Sequence, residues 1–125
     1  MNAFIERGWC LFVSDITDDY MRAMLETTKR YTLVILHRTS KRSEPGADEI
    51  VWEHGRRNFE LRRNGLLCVV GPVVQDKTDV TGVCIFSTDL EQTKRVMNED
   101  PAVRAGIFTY EAHQIEGFPG DALAT

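Results

Sequence analysis

His54 and Asn58 stand one helical turn apart in a segment whose other inward residues are apolar. At about 100° per residue, Ile50, Leu61, Val51, Gly55, Phe59 and Trp52 fall in one broad arc, with His54 and Asn58 inside it. Glu53, Arg56, Arg57, Glu60 and Arg63 fill the opposite side, which reads as a solvated charged face. A histidine so placed points toward a sheet or its open end, not into bulk water. In a partly desolvated cleft an imidazole serves as a general acid or base near neutrality. A core-edge histidine bonded to a carbonyl would occupy the same position.

Such a histidine needs a partner to fix its tautomer. The candidate is Asp100, in Asn98-Glu99-Asp100-Pro101. An ionised carboxylate beside an imidazole orients the ring and stabilises the imidazolium. If two helices share one face of a sheet, a residue ending one can reach the other. His54 and Asp100 are therefore expected to interact, directly or through one water, in a cleft open to solvent. The plainer alternative for Asp100 is a carboxylate that ends its helix ahead of Pro101.

Other chemistry is poorly supported. His37, His54 and His113 share no metal-ligand spacing such as H-x-x-x-H, so no metal is expected. Ser14, Ser40, Ser43 and Ser87 lie in no G-x-S-x-G context, and neither a P-loop nor G-x-G-x-x-G occurs. No cofactor is implied. Cys10, Cys68 and Cys84 are odd in number and form no C-x-x-C, and their apolar neighbours suggest buried, reduced thiols.

The elements that must position the pair follow from periodicity. Tyr31–Leu36 is a β-branched apolar run, and Arg38–Gly46 a polar loop. A helix is expected from about Ala47 to Asn64, stopped by Gly65. Leu66–Val70 is a second strand, ended by Gly71-Pro72, and Thr81–Ser87 a third after a polar turn over Gln75–Asp79. Thr88-Asp-Leu-Glu91 reads as a capping box opening a second helix, which Pro101 breaks. Ile107–Ile115 is the fourth strand. Strand, helix, strand, strand, helix, strand predicts an α+β ferredoxin-like βαββαβ fold, a four-stranded antiparallel sheet with both helices on one face.

The first three strands are apolar at nearly every position, although an antiparallel sheet with one wet face should alternate. Something must cover the second face. A second subunit packed sheet to sheet is the expectation, with an N-terminal segment as the other candidate. In residues 1–30, Trp9–Val13 is apolar, and Met21, Met24, Leu25 and Thr28 suggest an amphipathic helix of about three turns. The expected organisation is an N-terminal extension over 1–30, the core domain over 31–116 and a loose tail over 117–125.

Of the 125 residues, 42% are hydrophobic and 27% charged, which fits one globular domain. The net charge of -4 argues against a nucleic-acid binder. The RNA-recognition order of elements lacks its Gly-Phe-rich strand motif in Thr81–Ser87. Neither a signal peptide nor a membrane span is recognisable, so the cytoplasm is the expected location, with no membrane partner.

His54, then Gly65 eleven positions later, Leu66-Leu67 and Gly71-Pro72 resemble the YciI-like (YCII-related) family. The stretch from Asp100-Pro101 to Tyr110-Glu111 resembles it further, and Thr88-Asp-Leu-Glu-Gln92 only loosely. The resemblance covers about residues 31–115. It implies a ferredoxin-like domain of the dimeric α/β barrel type, with His54 and Asp100 as the active pair and no cofactor. Asn58, Gly71 and Pro72 are the expected substrate contacts. Ala102 departs from the family's usual aromatic after Asp-Pro, which would change a wall of the cleft. The family includes a dehydrochlorinase acting on a chlorinated hydroxyquinol-type ring. The expected function is a small cofactor-free lyase, isomerase or dehydrochlorinase acting on a small organic molecule. The alternative is a non-catalytic small-ligand-binding or regulatory module.

Overall fold

Alternation along Lys29–Arg38 (β1) decides the architecture. Thr32, Val34 and Leu36 are buried, whereas Leu33, Ile35 and His37 between them are only partly covered. The computed structural model describes residues 14–74 and 77–125. After α1 (Asp18–Leu25) and β1 come a 3-10 turn (Ser40–Ser43), α2 (Ala47–Arg63), β2 (Leu67–Pro72) and β3 (Val80–Phe86). Then follow α3 (Leu90–Asn98), α4 (Pro101–Arg104) and β4 (Phe108–Gly117). The sheet order is β2-β3-β1-β4 with every neighbour antiparallel, the ferredoxin-like arrangement. Its core joins Val34, Leu36, Cys84 and Phe86 from the sheet to Ala47 of α2 and Met97 of α3.

Local chemistry sets the boundaries. Gly65, at φ +82°, stops α2 in the left-handed conformation that favours glycine. Gly71 and Pro72 do not end β2 but form its last two residues, paired with Val83 and Gly82. The capping box of α3 is built one residue later than the sequence suggests. Asp89 accepts from Gln92 N at 2.8 Å, and the Gln92 side chain accepts from Asp89 N. Thr88 is diverted elsewhere: its hydroxyl meets the Thr93 hydroxyl at 2.7 Å, and its carbonyl accepts from the Thr32 hydroxyl. Pro101 does more than end α3, since it occupies the first turn of α4, where its missing N–H is no loss.

Two burial expectations change. Cys84 is buried as expected, but Cys68 is exposed. The β2–β3 register jumps between Leu67 and Val69, and Cys68 is the extra residue, turned out of the ladder. Cys10 lies outside the described residues, as do the Trp9–Val13 run and residues 75–76 of the polar turn. Ala102 is fully buried in the core rather than on a cleft wall.

Lys29–Gly117 form one unit, and α1 with the residues from Phe118 onward belongs to a second. Helix α1 starts at its Thr17 cap and ends sooner than the apolar spacing suggests. The hydroxyls of Thr27 and Thr28 donate to the carbonyls of Met24 and Leu25, satisfying its last turn. No helix among the described residues is long and apolar enough to cross a membrane.

Asp89→Ala removes the side-chain half of the α3 capping box, leaving the backbone N–H that Gln92 accepts from, and should lower the unfolding free energy by about 1 kcal/mol, measured by urea denaturation. An unchanged midpoint would mean that the box contributes nothing to holding α3.

Candidate active site

The buried arc of α2 is not centred on its apolar arc. Ala47, Ile50, Val51 and Leu61 pack toward the core, while Trp52 and Phe59 are 70% and 63% exposed. Relative to the apolar arc the helix is turned by about 50° at 100° per residue, so His54 points close to the centre of the buried side. The same turn draws Arg57 inward, away from the solvated face expected for it, leaving its side chain 22% exposed.

Asp100 meets His54 from the N-terminus of the neighbouring helix, α4. Oδ1 of Asp100 caps α4 by accepting from Ala102 N at 2.8 Å and Val103 N at 3.2 Å. Oδ2 is 2.6 Å from His54 Nδ1, and Asp100 is 1% exposed. Each carboxylate oxygen therefore has its own task, and Asp100 is not a mere helix terminator. Burial alone pushes the Asp100 carboxyl up. The hydrogen bond and charge of His54, with the two backbone N–H groups, outweigh it and hold the group below the usual carboxylate range.

With the Nδ1 proton on the Asp100 side, His54 Nε2 carries a lone pair and accepts from Asn58 Nδ2 at 3.2 Å. The Phe108 ring packs edge-on against the imidazole, with centroids 5.1 Å apart. His54 and Asn58 line a cavity of about 370 Å³ together with Gly71 and Pro72 from the end of β2. The four positions, expected from sequence as histidine and substrate contacts, thus share one cavity, with Asp100 behind His54.

Two neighbours were not singled out by sequence. Arg57 Nη2 donates to Val96 O at 2.7 Å, tying α2 to α3, and Nη1 lies 3.6 Å from Asp100 Oδ2. Among the described residues Nη1 is the buried side-chain nitrogen without a hydrogen bond. Its signal in the sequence was its place three residues after His54, at the edge of the inward arc. Cys84 also lines the cavity, but burial, with a contribution from Asp100, pushes its thiol up to about 12. A thiol so protonated is no nucleophile at neutral pH.

The remaining histidines lie on the far face of the sheet. His37 Nδ1 is 2.7 Å from Asp79 and Nε2 is 2.6 Å from Glu111, whose other oxygen is 2.9 Å from His113 Nε2. The Asp79 and Glu111 carboxylates hold the His37 imidazole above its usual range. No group of three or more His, Cys, Asp or Glu among the described residues is arranged to hold a metal ion.

No protein-family model matches this chain, and no curated protein matches it. Among solved structures it is similar to 5-chloro-2-hydroxyhydroquinone dehydrochlorinase (TftG) from Burkholderia phenoliruptrix AC1100, in complex with 2,5-dihydroxybenzoquinone. That likeness has a TM-score of 0.46 at 15% sequence identity, over 66% of this chain and 90% of that one. The fold described above stands on its own strand order and register.

Asp100→Asn should destabilise the protein by about 3 kcal/mol at pH 7, because it breaks a buried charge-assisted pair. The folded-state carboxyl lies below its unfolded value of about 3.9. Its stabilisation is therefore complete above that pH and is lost as pH falls through the lower folded value. Chemical denaturation between pH 7 and pH 2 should show a shallower acid loss in the variant than in the wild type.

Proposed function

We propose that this chain is a YciI-like protein and that its cleft is an acid–base site. It acts as a small cofactor-free enzyme of the lyase, isomerase or dehydrochlorinase type on a small organic molecule. The observation that carries this reading is the hydrogen-bonded chain Asp100–His54–Asn58, which ends at a cavity wall. The ring has a carboxylate behind it, and its other nitrogen, bonded to the uncharged Asn58 amide, stands at the wall of a space of ligand size.

The chemistry follows from the two ring nitrogens. Once the Asn58 amide swings off Nε2 and frees its single lone pair, Nε2 takes a proton from a carbon beside a carbonyl, or from an enol hydroxyl, leaving the electron pair on the substrate as an enolate. Asp100 stabilises the imidazolium so formed and keeps the ring in place. Return of the proton to a different carbon is an isomerisation; expulsion of chloride by the enolate is a dehydrochlorination. Asn58 fits both charge states of the ring, since its amide donates to the bare Nε2 and, turned over, accepts from Nε2–H. Gly71 and Pro72 contribute the opposite wall, where a substrate would lie.

We assign the second, only partly covered face of the sheet to a homodimer. Leu33, Ile35, Val83 and Ile85 form an apolar strip on that face across the central strands. Stacking two such faces would bury it. The cytoplasm, where Cys68 and Cys84 would stay reduced, is the compartment that suits this reading.

Deuterium exchange at acidic C–H positions, followed by NMR in D2O over a set of small enolisable and chlorinated ring compounds, tests the catalytic reading. Exchange by the wild type should fall about 10³-fold in His54→Gln while binding of the same compound persists. Binding without exchange in either protein would make this a ligand-binding module instead. Light scattering at micromolar concentration should give a dimer, and Ile85→Asp should shift it to monomer; a monomeric wild type overturns the assembly.

A further inference from the structure

Glycine at position 55 is not explained by the fold. It lies inside the 17-residue helix α2, where glycine lowers helix stability relative to alanine. Its backbone is not left-handed, and a Cβ built on it would meet no atom within 4 Å. Neither conformation nor close packing asks for the missing side chain.

Gly55 instead leaves the helix backbone bare where two cavities adjoin. The inner one, of about 370 Å³, holds His54 and Asn58, and an outer groove of about 560 Å³ runs against Trp52. Arg42, Val51, Gly55 and Phe59 line both. Trp52 and Phe59 are large aromatics left mostly exposed on a helix side otherwise bearing charged residues, which marks a surface made to be covered. The groove's arginines are each paired with a carboxylate, Arg42 with Asp48 at 2.8 Å and Arg56 with Glu53 at 3.1 Å, so the groove is marked by its aromatics and not by its charge.

We propose that Gly55 is a specificity-determining position that opens the inner cavity onto the outer groove. The substrate is then a molecule too long for the inner cavity alone. Its reacting end lies at His54, and a flat apolar portion crosses the bare backbone at Gly55 between Trp52 and Phe59. Only the inner end rests on the catalytic reading given above. The outer groove takes a flat aromatic group whether or not turnover follows.

The probe is 8-anilinonaphthalene-1-sulfonate, whose planar naphthalene ring stands in for the aromatic portion, titrated by fluorescence into the protein. Gly55→Leu should weaken its binding at least tenfold, and Trp52→Ser by about tenfold. Gly55→Ala should weaken it by a smaller factor while raising Tm by about 4 °C. Unchanged probe affinity in Gly55→Leu overturns the proposal. So does a lower Tm in Gly55→Ala, because the glycine would then serve the fold. Loss of an oligomer in Gly55→Leu or Trp52→Ser, seen by sedimentation, would make the groove a contact between copies and also overturn it. Deuterium exchange with His54→Gln is read separately, so failure of the catalytic reading and failure of the groove leave different signatures.

Discussion

The structure of the site depends on one buried carboxylate. Asp100 is almost wholly removed from water, and an ionised group so placed is tolerated only when each oxygen is bonded. One oxygen holds the first turn of α4 and the other holds His54 of the neighbouring α2. The group that orients the imidazole is thus itself fixed by backbone, which costs no side-chain freedom when the ring gains or loses a proton. The Arg57 guanidinium near the same oxygen adds a positive charge without a competing hydrogen bond. The result is a preorganised pair, not two surface residues that happen to meet.

That constraint also sets the rotation of α2. For His54 to reach Asp100, the helix must bury the edge of its apolar arc and leave the other edge in solvent. Arg57 is drawn in and Trp52 and Phe59 are turned out. The exposed aromatics and the inward histidine are therefore two consequences of one orientation. Cys84, facing the same cavity from β3, is kept a neutral thiol by its burial and by the charge of Asp100, so the imidazole of His54 has no thiolate beside it.

The sheet separates two ionic environments. On the helix-covered face a single His–Asp pair stands in a mostly apolar cavity. On the other face His37, Asp79, Glu111 and His113 form an exposed network beside the apolar strip of Leu33, Ile35, Val83 and Ile85. The doubly bonded His37 ring favours its charged form, and the stabilisation this gives is present below about pH 6.5 and fades as pH rises through the raised value. Being exposed, this network is screened by salt in a way the Asp100 pair is not.

The amino-acid sequence by itself determined the order and kind of the elements, because their signals are local. β-branched runs, the Gly65 stop, a cap near Thr88 and the Asp-Pro pair act within a few residues. It also singled out His54 and Asp100 as a candidate pair, since an inward histidine and a helix-end carboxylate can be recognised without coordinates. Tertiary structure decided the rest. Whether Thr88 or Asp89 capped α3 depended on Thr32 and Thr93 claiming the threonine. The exposure of Cys68 depended on the register between β2 and β3. The turn of α2 about its axis, which made Arg57 part of the site and Trp52 part of the surface, depended on where Asp100 stood in another helix. Periodicity defines a helix's apolar arc, but only the partner it must reach defines which part of that arc is buried.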